Sequence, residues 1–133
     1  LAATAFEAGP RVLFVDDSEL LRLLVSLMLR EHGYEVETAH DGFDGWHRTA
    51  ENLHAYDFVI TDLDMPRLNG FELIRLLREN GYVGRVVVYS GAISSSARAR
   101  LEMLGQTDVG LDAERTSVRI FIVDHVNRVP LPN

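Results

Sequence analysis

The chain contains no cysteine and no lysine. The first absence excludes disulfides and thiolate metal sites, and it suits a cytoplasmic protein. The second leaves arginine as the whole of the basic complement of 13 residues, a bias that base composition explains better than any selected property. No run of eighteen apolar residues is present, so no segment is expected to span a membrane. The opening LAATAFEAGP lacks the basic start and apolar middle of a signal peptide, and its first residue, Leu1, is expected where a chain is trimmed or cut from a longer protein. Positive charge is scarce. A net charge of −7 argues against unaided binding to nucleic acid, which needs clustered cations against phosphates. What remains is 133 residues, room for one domain, with 47% hydrophobic residues to build its core and 25% charged residues to cover it.

Hydrophobic patterning divides this domain into alternating strands and helices. RVLFVDD (11–17) is a β-branched-rich run ending in acids, the signature of a strand buried on both faces. Ser18 caps the helix ELLRLLVSLMLREHG, whose broad apolar stripe ends at Gly33. YEVETA (34–39) alternates as a half-exposed strand, HDG (40–42) turns, and FDGWHRTAENL (43–53) is a second helix with Trp46 packing inward. YDFVIT (56–61) is another buried strand, followed by a helix over 70–80 that Asn69 caps and Asn80-Gly81 closes. GRVVVYSG (84–91) and SSSARARLEMLG (94–105) complete the series. A βαβαβαβα order predicts an α/β fold, a doubly wound parallel sheet with helices on both faces. Ligands of such sheets bind beyond the carboxyl ends of the strands.

Those ends are polar here. The first strand ends in Asp16-Asp17, the third in Asp62 with Asp64 two residues on, and the fourth in Ser90-Gly91. Singly, each has an ordinary explanation: acids favour a helix N-terminus, Asp suits a turn before Met65-Pro66, and serine is tolerated at a strand end. Jointly, on one sheet edge, they are harder to explain without a ligand. Clustered carboxylates repel unless a cation joins them, and oxygen ligands of this kind suit Mg²⁺. A carboxylate can also attack phosphorus when the oxygens of the transferred group are neutralised, which makes Asp62 the candidate nucleophile. The Ser90 hydroxyl and Gly91 amide are placed to hydrogen-bond those oxygens. The five histidines (32, 40, 47, 54 and 125) have no metal-ligand spacing and are expected on the surface.

VDD (15–17), DLDMPRLNG (62–70) and YSG (89–91), with the spacings between them, resemble the receiver domain of two-component response regulators over residues 11–105. The resemblance implies a flavodoxin-like sheet of strand order 2-1-3-4-5. It also implies a phosphoryl group accepted on Asp62 from a histidine kinase or phosphotransfer protein. Asp17, Asp62 and the Asp64 backbone carbonyl would ligate Mg²⁺, with Asp16 acting through bound water and Ser90 as the switch hydroxyl. Such a domain is not itself classed as an enzyme. A haloacid dehalogenase-type phosphatase is the other-class alternative, because FVITDLDMP imitates its D-x-D strand. Pro66 stands where that family has Thr or Val, and that family places its motif on the first strand.

Residues 106–133 depart from the receiver pattern. The stretch that should carry a Lys-Pro holds Leu111, Asp112 and Ala113, and Val109 is nearest to the missing aromatic partner of the switch hydroxyl. Arg115 or Arg119 could substitute for the lysine, although a guanidinium fork is a poor isostere for an ammonium. These losses raise a third possibility, a receiver-like module that binds proteins without phospho-switching. SVRIFIV (117–123) reads as a displaced fifth strand, and the two prolines of DHVNRVPLPN exclude a fifth helix there. A missing helix uncovers apolar sheet and helix surface, and a terminal strand offers an open edge. Residues 106–133 are therefore expected to form a homodimer contact, with GQTDVGLDAE as a hinge.

Overall fold

A computed structural model of the chain describes residues 9–90, 94–104, 107–111 and 119–123. In chain order these form β1 (Arg11–Val15), α1 (Glu19–Glu31), β2 (Glu35–Ala39), α2 (Gly42–Glu51), β3 (Phe58–Thr61) and α3 (Gly70–Glu79). Then follow β4 (Arg85–Ser90), α4 (Ser95–Leu104), β5 (Thr107–Leu111) and β6 (Arg119–Val123).

The first four strands are parallel and lie in the order β2-β1-β3-β4, the flavodoxin-like arrangement expected. Successive residues of a strand face opposite sides, and the core divides accordingly. Leu13, Val15, Val59, Val86 and Val88 pack with Leu73, Ile74 and Leu77 of α3. Val12, Phe14, Ile60 and Val87 pack with Val25 and Leu29 of α1 on the other face. Trp46 of α2 lies partly buried against the first cluster. Glycine terminates two helices for a conformational reason: Gly33 (φ 89°) and Gly81 (φ 87°) occupy the left-handed region that lets the chain reverse into β2 and toward β4.

Beyond β4 the sheet differs from a simple parallel continuation. The place beside β4 is taken by β6, antiparallel, and β5 pairs antiparallel with β6 at the outer edge. SVRIFIV thus supplies the strand displaced along the chain, while part of the expected hinge, Thr107–Leu111, is itself a strand. Among the described residues the sheet ends at β5 on this side and at β2 on the other, and β6 is paired on both sides. No fifth helix occurs among the described residues.

Among the described residues, exposed large apolar side chains gather on α1. Ile60 and Val87 of the sheet are buried, whereas Leu20, Leu23, Leu24, Leu27 and Met28 are between 40% and 63% exposed. At 100° per residue these five span an arc adjoining the buried Leu29 and Val25, so α1 is apolar around well over half its circumference.

Candidate functional site

Three of the predicted acids meet. One carboxylate oxygen from each of Asp16, Asp17 and Asp62 lies within 4.8 Å of the others. Parallel pairing produces this meeting: Val15 stands opposite Thr61, so the residues that follow leave the sheet together. The Asp62 amide donates to the Val15 carbonyl at 3.0 Å, and the Asp16 amide donates to the Ala39 carbonyl at 3.1 Å. These bonds extend the ladder one residue past each strand and pin the acids at its end.

The three acids differ in environment. Asp17 is exposed, Asp62 is half-buried, and Asp16 is 1% exposed. Asp16 Oδ1 accepts the Ser18 amide at 2.8 Å, and its backbone carbonyl accepts from Arg22 Nη1 at 2.8 Å. Burial nevertheless raises the Asp16 carboxyl from its ordinary 3.8 to about 6, with the Asp62 and Asp17 charges adding to the rise. Burial likewise raises Asp62, against the lowering effect of hydrogen bonds from the Leu63 and Asp64 amides. The Leu63 amide reaches Asp62 Oδ1 at 2.7 Å. Such a cluster is electrostatically unsatisfied, and a hard divalent cation fits its all-oxygen donor set.

A pH dependence follows with a definite sign. A carboxyl raised in the folded state holds its proton more tightly there than in the unfolded chain, so ionising it opposes folding. Without metal, the Asp16 contribution to stability should fall as pH rises from 3.8 to about 6. Asp16→Asn can keep the Ser18 hydrogen bond and should stabilise the metal-free protein at pH 7 by up to about 3 kcal/mol. Urea unfolding of both proteins with chelator present, at pH 4 and pH 7, checks this; an equal difference at the two pH values refutes it.

Asp64 is exposed, and its amide supports Asp62. Ser90 ends β4 on the same sheet edge, and Gly91 lies outside the described residues. The register Ser90↔Arg119 brings the first residue of β6 beside Ser90, so of the two arginines considered as substitutes Arg119 starts at that edge. Arg115, Asp112 and Ala113 lie outside the described residues, and Val109 and Leu111 are in β5. Histidines 32, 40, 47 and 54 are exposed, and His125 lies outside the described residues.

Sequence patterning missed a second polar group at this edge. Asp41, read as a turn residue, is the buried N-cap of α2; Oδ1 accepts the Asp44 amide at 2.7 Å and Oδ2 accepts Arg67 Nε at 2.8 Å. Burial pushes this carboxyl up, but the Arg67 and Asp44 hydrogen bonds outweigh it and hold Asp41 below the usual carboxylate range. The Asp-Gly pair followed by Asp44 was a readable capping signal; the arginine 26 positions away was not.

This fold and this acid cluster are those of a receiver domain. The family model for the response regulator receiver domain matches residues 12–109, and the chain belongs to that family, a component of two-component systems. Over 103 residues it is 36% identical to a gliding motility regulatory protein of Myxococcus xanthus, covering 77% of this chain and 13% of that protein. A protein-glutamate methylesterase/protein-glutamine glutaminase of Anaeromyxobacter dehalogenans is 33% identical over 126 residues, covering 91% of this chain and 34% of the relative. The chain thus spans about a third or less of the curated relatives it matches. Among solved structures, the chemotaxis protein CheY4 of Vibrio cholerae superposes with TM-score 0.67 at 32% identity, covering 74% of this chain and 82% of that one. The response regulator TrrA of Thermotoga maritima, in complex with Mg²⁺ and BeF, gives TM-score 0.55 at 32% identity, over 59% of this chain and 66% of its own. Receiver domains act as phosphoacceptor switches rather than conventional enzymes. No helix among the described residues is long and apolar enough to cross a membrane.

Proposed function

We propose that Asp62 accepts a phosphoryl group from a histidine kinase or phosphotransfer protein in a Mg²⁺-dependent phosphorelay in the cytoplasm. The convergence of three carboxylates within 4.8 Å at the sheet edge carries this reading. An Asp62 carboxylate oxygen bonds to the donor's phosphorus while the donor's bond to phosphorus breaks, its electron pair leaving with the donor group. Asp17, Asp62 and the Asp64 carbonyl would hold Mg²⁺, Asp16 would act through water, and the ion would neutralise oxygens of the transferred group. The Leu63 amide orients Asp62, and the Ser90 hydroxyl and Gly91 amide would supply donors for phosphoryl oxygens.

Intact-mass measurement after treatment with a small phosphodonor tests the proposal, with one added phosphoryl group expected. The absence of lysine favours one competing function, a protein-binding module without phospho-switching. A chain that binds Mg²⁺ but takes up no phosphoryl group at any donor concentration would support it. Turnover of small phosphoesters would instead favour the dehalogenase-type chemistry. The core at 11–105 and the distinct segment at 106–133 are proposed as the functional division of the chain.

We further propose a homodimer through residues 106–133, supported by the position of β5 at the end of the sheet among the described residues. The exposed α1 stripe is the competing contact. Light scattering over a concentration series should reveal the dimer, and Leu23→Glu combined with Leu27→Glu identifies its surface. Persistence in the variant assigns the contact to the tail, loss assigns it to α1, and a monomeric wild-type chain at high concentration removes the proposal.

A further inference from the structure

The eight-residue loop (62–69) that carries Asp62 and Asp64 is tied to α2 at two neighbouring points. Arg67 Nε donates to Asp41 Oδ2 at 2.8 Å, and the Gly42 amide donates to the Leu68 carbonyl at 3.1 Å. The first tie is buried on one side. The Asp41 side chain is 4% exposed and that of Arg67 57%, and the Arg67 guanidinium lies 4.9 Å above the Phe43 ring. Phe43 in turn stacks on His47, with centroids 5.6 Å apart.

Arg67 makes this contact from an unfavourable backbone. Its φ of 68° is the one positive value at a non-glycine residue among the described residues. Arginine has no intrinsic preference for that region; the Leu68 N–H to Pro66 carbonyl bond at 2.8 Å closes a tight turn around it, and the side-chain contact with Asp41 adds to that hold. The close approach of the second tie has no slack either, since a Cβ on Gly42 would stand 2.1 Å from the Leu68 oxygen. Between these ties and Asp62 the loop is short and internally bonded: Leu68 N–H to the Pro66 carbonyl at 2.8 Å, and Gly70 N–H to the Leu63 carbonyl at 2.9 Å. Displacement at Arg67 therefore passes to the segment holding Asp62 and Asp64.

We infer that the Arg67–Asp41 pair, covered by Phe43, is a latch that positions the Asp62–Asp64 loop for Mg²⁺ and phosphoryl binding. The inference rests on the function proposed above and adds positioning residues outside the acid cluster. Groups hydrogen-bonded directly to metal ligands typically contribute about 10–100-fold to metal affinity, and Arg67 acts one step further back, through the loop, so the lower end applies. Arg67→Ala is accordingly expected to weaken Mg²⁺ binding by about 10-fold. Asp41→Asn should do the same, and the double variant should be no weaker than either single one, because one interaction is lost in all three.

Isothermal titration of the full chain with Mg²⁺, well below each variant's melting temperature, is the test. Arg67→Gly separates positioning from stability: glycine relieves the positive φ, so it should melt no lower than Arg67→Ala while binding Mg²⁺ equally weakly. Arg67→Lys should recover part of the affinity. If wild type binds Mg²⁺ and folded Arg67→Ala and Arg67→Gly bind it as tightly, the latch is overturned and the site assignment stands. If wild type itself binds no Mg²⁺ and takes up no phosphoryl group, both are overturned.

Discussion

Asp62→Asn should lose phosphoryl uptake completely while remaining folded. Asparagine has nearly the same shape, and its carbonyl oxygen can still accept the Leu63 amide that now reaches Oδ1 at 2.7 Å. The amide lacks the anionic oxygen that attacks phosphorus, so no bond can form at this position. Folding should not suffer, because burial already disfavours the ionised form of Asp62, and the Asp17 and Asp64 charges add to that penalty. Wild type treated with a small phosphodonor should gain the mass of one phosphoryl group, the variant none, and the variant should melt at or above the wild-type temperature. Asp17→Asn should fold equally well and retain slow uptake, since it loses a metal ligand and keeps the nucleophile. Persistent modification of Asp62→Asn would place the acceptor elsewhere and end the assignment.

Gly70→Ala is expected to produce the largest loss of stability and, with it, a displaced site. A Cβ at this position would stand 2.3 Å from the carbonyl oxygen of Asp62 and 2.9 Å from the Leu63 Cα. Both obstacles are backbone atoms, so no side chain can rotate aside. Glycine is required here by proximity; its φ is not in the left-handed region. Gly70 also opens α3, and its amide closes the loop onto the Leu63 carbonyl at 2.9 Å. Relief must come from moving either the helix start, fixed by the reciprocal Asn69–Glu72 capping box, or the strand end bearing Asp62. Overpacking of this kind costs about 1–3 kcal/mol. Denaturant unfolding should place Gly70→Ala in that range, and phosphodonor labelling of the folded variant should be slowed as well. Wild-type stability in the variant would mean that loop and helix separate without penalty.

Neither effect could have been ranked from sequence alone, although both positions were visible there. DLDMPRLNG contains the acceptor, the loop and the glycine, but that Gly70 touches Asp62 depends on how the loop folds back. The same limit applied to Asp16 and Asp17. Adjacent in sequence, they are equivalent as letters, yet one is buried with a raised carboxyl and the other is exposed.

The sequence by itself determined the elements up to α4 and the polar ends of their strands. Local periodicity and capping reflect whether each side chain meets core or water within a few residues, and those signals are strong in RVLFV, FVIT and the Asn69 capping box. Tertiary structure alone decided which surfaces stayed open and which distant groups met. The apolar arc of α1 is continuous in sequence, but only the sheet's position shows that Val25 and Leu29 are buried while Leu20, Leu23 and Leu27 face solvent. Strand direction beyond β4 and the Asp41–Arg67 contact are likewise long-range. They are set by pairing and packing between segments far apart in the chain, which no local pattern encodes.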